Sequence, residues 1–318
     1  APQGATSVSD QVVKPGGSAV DVLTPSVAGG GAWPTLPGGG GVPVMYGVDL
    51  YGPFASQPAV SVSVPSGAPL AGHTSVTVSG TAPQQVSLPV SAAGYYTFVV
   101  RVDRSSQSSQ TQPYLPDPYV WQDKFGLAAE SFVSPFTVSA SSQVTSAGIS
   151  AGGVAEDSLT LTHQGTWVTG GDGTPVPVTA TGIAYWVAGS TVPVQGAVPS
   201  NATQLGTRQL VFTSDGTQTA QVTAPAGQSG YVVWVWSIAK TDYFNAWSDV
   251  FGNPTEYTRT TVPLIPQLAN TGVLLPVGLI AASISLVLLG LAVLLLKRRT
   301  RRERPRHLNN APHQPHTR

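Results

Sequence analysis

Residues 121–130 read Trp-Gln-Asp-Lys-Phe-Gly-Leu-Ala-Ala-Glu, and residues 247–256 read Trp-Ser-Asp-Val-Phe-Gly-Asn-Pro-Thr-Glu. The tryptophan, the aspartate, the Phe-Gly pair and the glutamate recur with identical internal spacing. Self-similarity at such a distance is the signature of a duplicated module. We expect the repeated positions to serve the fold of each copy, and they are Trp121, Asp123, Phe125, Glu130, Trp247, Asp249, Phe251 and Glu256.

Further blocks repeat upstream in the same order. They are 13–23 with 149–159, Trp33 with Trp167, and 94–95 with 230–231. The offset is 136 residues for the first and third of these blocks and 134 for the tryptophans, and it falls to 126 in the last block. This drop places ten additional residues in the first copy between Arg101 and Tyr119, where the polar stretch 105–112 lies, which indicates an enlarged hairpin loop.

Each copy contains short β-branched and aromatic runs bounded by glycine and proline, for example at 75–79 and 231–238. Period-two alternation favours antiparallel strands, and 35 Gly and 28 Pro disfavour helices. The predicted fold class is all-β, with two tandem antiparallel β-sandwich domains of the Ig-like or fibronectin III-like type and one C-terminal transmembrane α-helix. We expect the sandwiches at 1–138 and 139–262, joined around 139–148.

Tryptophans are expected at the centre of both cores. Trp234 and Trp236 lie two residues apart in a strand-like run, so they face the same side of the strand. We interpret this pair as core, with an aromatic platform for a ligand as the alternative. Four others recur in the other copy, as expected if each fills a fixed pocket and finds a partner for its indole N–H, and they are Trp33, Trp121, Trp167 and Trp247.

The C-terminal end has three parts in a fixed order. They are Leu268, Ala269, Asn270, Thr271 and Gly272, then 24 residues without a charge at 273–296, then Lys297, Arg298, Arg299, Arg301 and Arg302. An apolar helix of that length measures about 36 Å and spans a hydrocarbon core of about 30 Å. Basic residues beyond the span predict a cytoplasmic tail at 297–318 and an N-terminal side outside the cell.

This order resembles the cell-wall sorting signal of Gram-positive surface proteins, in the Leu-Ala-x-Thr-Gly variant of the LPxTG type found in actinobacteria. The resemblance implies that a sortase, a transpeptidase with a reactive cysteine, attacks the Thr271 carbonyl. Gly272 is then expelled, and the acyl group passes to an amine of a peptidoglycan precursor. On this reading 263–272 form the spacer and sorting motif, and the chain sits in the membrane only before cleavage. Ala269 replaces the commoner proline, which leaves the sortase class open; an uncleaved membrane anchor is the alternative.

The repeats resemble the Ig-like repeats of sortase-anchored actinobacterial surface proteins. The resemblance lies in Gly-Val-Asp-Leu-Tyr-Gly-Pro-Phe at 47–54, in Gly-Tyr-Tyr-Thr-Phe at 94–98 and in the Phe-Gly-x-x-x-Glu ending. The second copy has Tyr-Trp-Val-Ala at 185–188 in place of the Leu-Tyr-Gly-Pro element. These motifs are structural and imply no defined activity.

Charge and composition exclude several classes of protein. Residues 1–272 carry seven basic and fourteen acidic side chains, whereas the rest carries eight basic and one acidic. A displayed part with a net negative charge disfavours nucleic-acid binding, because phosphate contacts need clustered Lys and Arg. The absence of cysteine excludes a disulfide framework. We interpret Ala1 as a processed terminus or a fragment boundary, since the predicted topology requires export.

Candidate catalytic and metal-binding groups are few. His73 and His163 do not occupy matching positions, and no Gly-x-Ser-x-Gly elbow accompanies them, so we interpret both as surface histidines. The acids of the repeated motif could ligate Ca²⁺ or act as acid and base. We favour a structural role in which the aspartate caps the Phe-Gly turn and the glutamate anchors the next strand. No catalytic residue, metal or cofactor is predicted.

Some Gram-positive surface domains are stapled by isopeptide bonds from lysine. Lys14, Lys124 and Lys240 do not occupy matching positions in the repeat, so we expect no such bonds. The sequence therefore predicts a non-enzymatic protein of the cell wall or cell surface, with a role in adhesion to an extracellular ligand that the sequence does not identify. A structural stalk or minor pilin-type spacer is the alternative, and a glycan hydrolase is disfavoured.

Overall fold

The computed structural model describes residues 1–263, and these residues are almost entirely strands and loops. The first eight strands are β1 (Pro2–Val8), β2 (Ser18–Val27), β3 (Val44–Phe54), β4 (Leu70–Val78), β5 (Gln84–Pro89), β6 (Gly94–Asp103), β7 (Val120–Gln122) and β8 (Ser131–Ser134). The next nine are β9 (Thr137–Val144), β10 (Gly148–Ser150), β11 (Val154–Gln164), β12 (Val178–Ala188), β13 (Thr203–Phe212), β14 (Gly216–Thr223), β15 (Gly230–Ile238), β16 (Trp247–Ser248) and β17 (Tyr257–Thr261). The helices in this part of the chain are 3-10 turns at Ala28–Gly30, Arg104–Ser106, Gln112–Tyr114 and Ala128–Glu130. The all-β prediction is confirmed for these residues.

No helix within residues 1–263 is long and apolar enough to cross a membrane. The sorting motif at 268–272, the apolar run at 273–296 and the basic tail at 297–318 lie outside the described residues. The expectations attached to those three segments stay predictions.

The first sandwich packs a sheet ordered β1-β2-β5 against a sheet ordered β4-β3-β6, with β7 and β8 both pairing the free edge of β6. The strand pairings named here are antiparallel. Alternation on β2 turns Ala19, Asp21 and Leu23 inward. Leu23 joins Tyr46 of β3 and Phe98 of β6 in one buried cluster, so the core lies between the two sheets.

The second sandwich repeats this plan. Sheet β9-β11-β14 faces a sheet ordered β10-β17-β15-β12-β13, and β16 pairs β15. Trp234 and Trp236 of β15 stack with 5.6 Å between ring centroids and are fully buried, which confirms the prediction that this pair is core.

The segment after the first strand runs parallel to the last strand in both copies. β10 pairs β17 in parallel register, with Gly148 opposite Arg259. In the first sandwich, Val12 forms a parallel bridge to Val133 of β8. The N–H of Val133 donates to the Gln11 carbonyl at 2.9 Å. The duplication therefore extends to this detail of the strand order.

The joint between the sandwiches lies at residues 135–136, between β8 and β9, and the prediction of a joint around 139–148 is wrong. β9 pairs β11 from Thr137 to Val144. Its alternate residues Val138 and Ser142 are buried, while the serines between them face solvent. Small polar residues on an exposed strand face thus gave this segment the composition of a linker.

The two sandwiches share an apolar contact at this joint. Phe136 stacks on Trp167 with ring centroids 5.0 Å apart, and its N–H donates to the Tyr243 carbonyl at 2.9 Å. Tyr95 and Val133 of the first sandwich belong to the buried cluster of the second. Residues 1–263 consequently form one compact unit.

The four repeated tryptophans are half-buried, so the prediction that they occupy the centres of the cores is wrong. Trp33 Nε1 donates to the Val42 carbonyl at 2.9 Å, and Trp167 Nε1 donates to the Val176 carbonyl at the same distance. Each indole closes a hairpin loop at the rim of its core. Trp121 packs edge-on against Tyr46 with ring centroids 6.4 Å apart.

The insertion in the first copy lies between the paired strands β6 and β7, which confirms the enlarged hairpin loop. It folds back onto β3 and is anchored there. Gln107 is buried; its Oε1 accepts from the Met45 N–H and its Nε2 donates to the Met45 carbonyl, both at 2.8 Å. The Thr111 hydroxyl donates to the Pro43 carbonyl at 2.6 Å.

Candidate functional site

The first sandwich buries three carboxyl groups and one hydroxyl at a single place. Thr6 lies on β1 and Asp21 on β2, so both come from one sheet. Asp123 follows β7, and Glu130 ends the 3-10 turn before β8, so both come from the facing sheet. All four side chains are buried. We call these four residues the first acid cluster.

Contacts in the first acid cluster centre on the hydroxyl. Thr6 Oγ1 donates to Glu130 Oε1 at 2.6 Å and lies 3.3 Å from Asp123 Oδ2. Asp123 is held to β6, because its Oδ1 accepts from the Val100 N–H at 2.9 Å. Glu130 Oε2 and both carboxyl oxygens of Asp21 are buried without a hydrogen-bond partner.

Burial raises the pKa of each of these acids into the neutral pH range. Desolvation raises the pKa of Asp21 to about 7, with repulsion from Glu130 adding to it. Desolvation likewise raises the pKa of Asp123 to about 7, although the hydrogen bond from the Val100 N–H lowers this pKa. The pKa of Glu130 rises to about 8, by desolvation and then by repulsion from Asp123. A carboxyl group deprived of water favours the uncharged state.

The second sandwich contains the same cluster at the equivalent positions. Ser142 of β9, Asp157 of β11, Asp249 and Glu256 replace Thr6, Asp21, Asp123 and Glu130 in that order, and we call them the second acid cluster. The Ser142 hydroxyl donates to Glu256 Oε1. Trp236 Nε1 donates to Asp157 Oδ2 at 2.5 Å. Burial raises the pKa of Asp157, and it raises the pKa of Glu256 to about 9, with repulsion from Asp157 as the second cause.

The second acid cluster lies beneath a surface concavity of roughly 590 Å³, lined by residues that include Ser142, Asp249 and Glu256. Asp249 is half-buried, whereas Asp123 is buried. Glu256 is 0% exposed, so its carboxyl group does not reach a molecule in the concavity.

The Phe-Gly pair of the repeated motif fixes the loop that carries the aspartate. Phe125 and Phe251 are buried, as expected for structural positions. Gly126 has φ +77°, and a Cβ at this position would lie 2.6 Å from the Ala59 carbonyl oxygen. Gly252 repeats this conformation with φ +78°. Glycine is required where φ is positive and a neighbouring backbone approaches this closely.

The turn-cap interpretation of the repeated aspartates stays a prediction for Asp249. Its Oδ1 accepts from the N–H of Val250, the residue before Phe251, at 2.6 Å. Asp123 instead bonds Val100 of β6, and the turn-cap interpretation is wrong for this residue. The sequence analysis did not predict that the hydroxyls of Thr6 and Ser142 belong to these sites. The signal that could have found them is their separation of 136 residues, an offset that other repeated blocks share.

Other candidate groups lie apart from the two clusters. His73 Nδ1 is 2.5 Å from Asp49 Oδ1, and His163 Nδ1 is 2.6 Å from Asp215 Oδ1. Within residues 1–263, neither imidazole is hydrogen-bonded to a hydroxyl, and no group of three or more acidic or histidine side chains is arranged to hold a metal ion. Lys14, Lys124 and Lys240 are exposed, whereas the glutamates of the acid clusters are buried.

Comparisons with known proteins give distant structural likenesses. No protein-family model matches the chain, and no curated protein matches it in sequence. The adhesin FdeC of Escherichia coli is 14% identical with a TM-score of 0.34, over 82% of this chain and 66% of that one. The adhesin InvE of Yersinia pseudotuberculosis is 11% identical with a TM-score of 0.28, over 82% and 59%. Trypsin-activated alpha-2-macroglobulin of Escherichia coli is 10% identical with a TM-score of 0.28, over 81% and 15%. This chain thus spans less than two thirds of each of these proteins.

Proposed function

We propose that this chain is a surface protein that a sortase attaches to the cell wall, with the two β-sandwiches as the displayed part. The proposal rests on one observation, the order of Leu-Ala-Asn-Thr-Gly at 268–272, the uncharged run at 273–296 and the basic cluster that follows. The position of the fold supports it: the last strand, β17, ends at Thr261, a few residues before the motif.

Attachment proceeds by two acyl transfers at Thr271. The sortase cysteine attacks the Thr271 carbonyl, a thioester forms, and the peptide bond to Gly272 breaks with release of the glycine amine. An amine of a peptidoglycan precursor then attacks the thioester, which forms an amide and frees the cysteine. Until the first step, the apolar run and the basic tail hold the chain in the membrane.

Within this proposal, the surface of the sandwiches favours a spacer role over an aromatic binding platform. The chain's 7 Trp, 10 Tyr and 8 Phe all lie within residues 1–263, and none of them is exposed. Adhesive surfaces are typically enriched in accessible aromatic side chains. A two-residue joint with a buried Phe136 also suits a stiff spacer. We therefore propose a non-enzymatic stalk that holds other surfaces away from the wall.

Adhesion is the second candidate, and one feature favours it. A concavity of roughly 910 Å³ is lined by residues 54–61, residues 65–69, Phe125 and residues 170–173, which come from both sandwiches. Val60 and Val62 project beside it with 60% and 80% of their surface exposed. Glycan and matrix-protein arrays probed with residues 1–267 test this role. Binding that a Val60→Ser/Val62→Ser variant loses, and that the exposed-site control Val154→Ser keeps, would establish adhesion over the spacer role.

Attachment itself is tested by fractionating Gram-positive cells that make the wild type or Thr271→Ala. Wild-type chain is expected in the wall fraction, released only by a peptidoglycan hydrolase, and the variant in the membrane fraction. Asn270→Ala is the matched control, because this position is variable in the motif, and it should reach the wall. Identical membrane retention of the wild type and Thr271→Ala refutes sorting and leaves the uncleaved anchor.

A further inference from the structure

Both sandwiches direct one buried hydroxyl at one buried glutamate, and the duplication retains this pair together with two aspartates. The hydroxyl belongs to Thr6 in the first copy and to Ser142 in the second. Threonine and serine share little except a hydroxyl group on Cβ, so the retained property is the oxygen. The retained acceptor is a glutamate at the end of the repeated motif.

Hydrogen bonds satisfy the acids around this pair only in part. Buried polar groups are normally paired, since an unpaired one costs stability. Here Glu130 Oε2, Glu256 Oε2 and Asp157 Oδ1 are buried without a partner, and so are both carboxyl oxygens of Asp21. The unpaired carboxyl oxygens therefore lower the folding stability of each sandwich. Such a cost is typical of sites that carry out chemistry.

We propose that Thr6 and Glu130, and likewise Ser142 and Glu256, condense to form intramolecular ester bonds that cross-link each sandwich. In the first cluster the hydroxyl oxygen of Thr6 attacks Cδ of the neutral Glu130 carboxyl group while Asp123 takes the hydroxyl proton. The tetrahedral intermediate then expels one carboxyl oxygen as water, with a proton returned by Asp123. One C–O bond forms, one C–O bond breaks, one water leaves, and no oxidant or reductant is needed.

The geometry of the first cluster fits each role. The attacking Oγ1 is 2.6 Å from Glu130 Oε1, which leaves it within about 4 Å of the bonded Cδ. Asp123 Oδ2 is 3.3 Å from the same oxygen, within reach of its proton. The Val100 N–H holds Asp123 in that orientation at 2.9 Å. In the second cluster Asp249 occupies the place of Asp123, and its Oδ2 is buried without a partner.

The surroundings favour condensation over hydrolysis. A neutral carboxylic acid is an electrophile, whereas a carboxylate repels a nucleophile, and burial raises the pKa of Glu130 to about 8. The pKa of Asp123, about 7, suits a group that accepts and returns a proton near neutral pH. Effective concentrations reach about 10⁵ M or more for two groups that are held in contact and well oriented for reaction. Little water reaches Glu130, which is 2% exposed.

Each bond would join the first strand of a sandwich to its last elements. Thr6 lies on β1 in one sheet, and Glu130 lies directly before β8 in the other. The bond would bridge the two sheets and close a loop between residues 124 apart. A chain without cysteine would gain by this means the kind of covalent closure that a disulfide provides.

The test is the intact mass of the full chain, made in a host without a sortase and measured after denaturation. Two esters lower the mass by about 36 Da, or about 18 Da per bond. Thr6→Val, which keeps the side-chain shape, should halve the deficit, and Thr6→Val/Ser142→Ala should abolish it. Thr24→Val, an exposed threonine on β2, is the matched control and should keep the full deficit.

Two measurements on the wild type make the test independent of folding in the variants. Hydroxylamine cleaves esters and spares amides, so it should add about 33 Da per bond to the denatured wild type, leaving a hydroxamate on Glu130 and on Glu256 and a mass about 15 Da per bond above the sequence mass. Proteolysis before that treatment should yield a peptide that links residue 6 to residue 130. A full sequence mass in wild-type protein with a native near-UV spectrum overturns the proposal. A deficit that survives hydroxylamine, or that maps to other residues, overturns it as well.

Discussion

Replacing Asp21 by asparagine should remove part of the pH dependence of folding. Desolvation raises the pKa of Asp21 from 3.8 to about 7, so the folded state keeps a proton that the unfolded state loses. This contribution is fully present below the unfolded pKa and is lost as the pH rises through the folded one. With these two pKa values, the wild type loses about 3 kcal/mol of unfolding free energy through Asp21 between pH 5 and pH 8. Asparagine does not titrate, so the variant lacks this loss.

Urea unfolding of residues 1–267, followed by tryptophan fluorescence at pH 5 and pH 8, measures this effect. The variant should be no more stable than the wild type at pH 5 and should gain relative to it at pH 8. Asp10→Asn is the control, because Asp10 is exposed on the loop after β1 and should change stability equally at both pH values. An equal difference between the wild type and Asp21→Asn at pH 5 and pH 8 would refute a neutral, buried Asp21. Esterification of Glu130 leaves this prediction in place, since desolvation is the larger cause of the raised pKa.

Two further substitutions probe the repeated motif and the insertion. Gly126→Ala should lower the free energy of unfolding of the first sandwich by about 2–3 kcal/mol in thermal unfolding, because a positive φ and a clash with backbone act together. Gly39→Ala is the control. Gly39 has φ +84° and open space around it, so this substitution should cost about 1 kcal/mol. An equal cost at both positions would contradict the close approach. Gln107→Ala removes both hydrogen bonds to Met45, so we expect the free energy of unfolding to fall by about 1–3 kcal/mol and proteolysis within the insertion to become faster. Gln110 is exposed, so the control Gln110→Ala should leave the stability and the proteolysis rate unchanged.

The strand content was predictable because alternation is a local property of the sequence. The duplication was predictable because it needs only a comparison of the sequence with itself. Alternation along 231–238 indicates a strand without knowledge of its partners. The same reasoning misplaced the joint, because β9 exposes small serines that also occur in linkers. It also misplaced Trp33 and Trp167, since recurrence shows that a side chain is needed but not how deeply it lies.

Three of the four members of each acid cluster lie in the repeated blocks, since Asp21 and Asp157 occupy matching positions in 13–23 and 149–159. Asp123 and Glu130 belong to a motif with a large tryptophan and a Phe-Gly pair, so their recurrence stands out. Thr6 lies in a stretch without such neighbours, and Thr6 and Ser142 differ in residue type. Only the packing of one sheet on the other brings a residue from the first strand against one 124 positions away. The raised pKa values arise from burial in that packing and have no counterpart in composition.

The parallel pairing of β10 with β17 determines how the second sandwich responds to tension. The Arg259 N–H donates to the Ala147 carbonyl and the Ala151 N–H donates to the Thr261 carbonyl, each at 2.9 Å. Pulling the two ends of the chain apart draws these neighbouring segments in opposite directions along their length. Their hydrogen bonds must then slide and break together, whereas bonds perpendicular to the pull would open one after another. The sandwich is therefore loaded in shear, the direction in which a β-sheet is mechanically strongest.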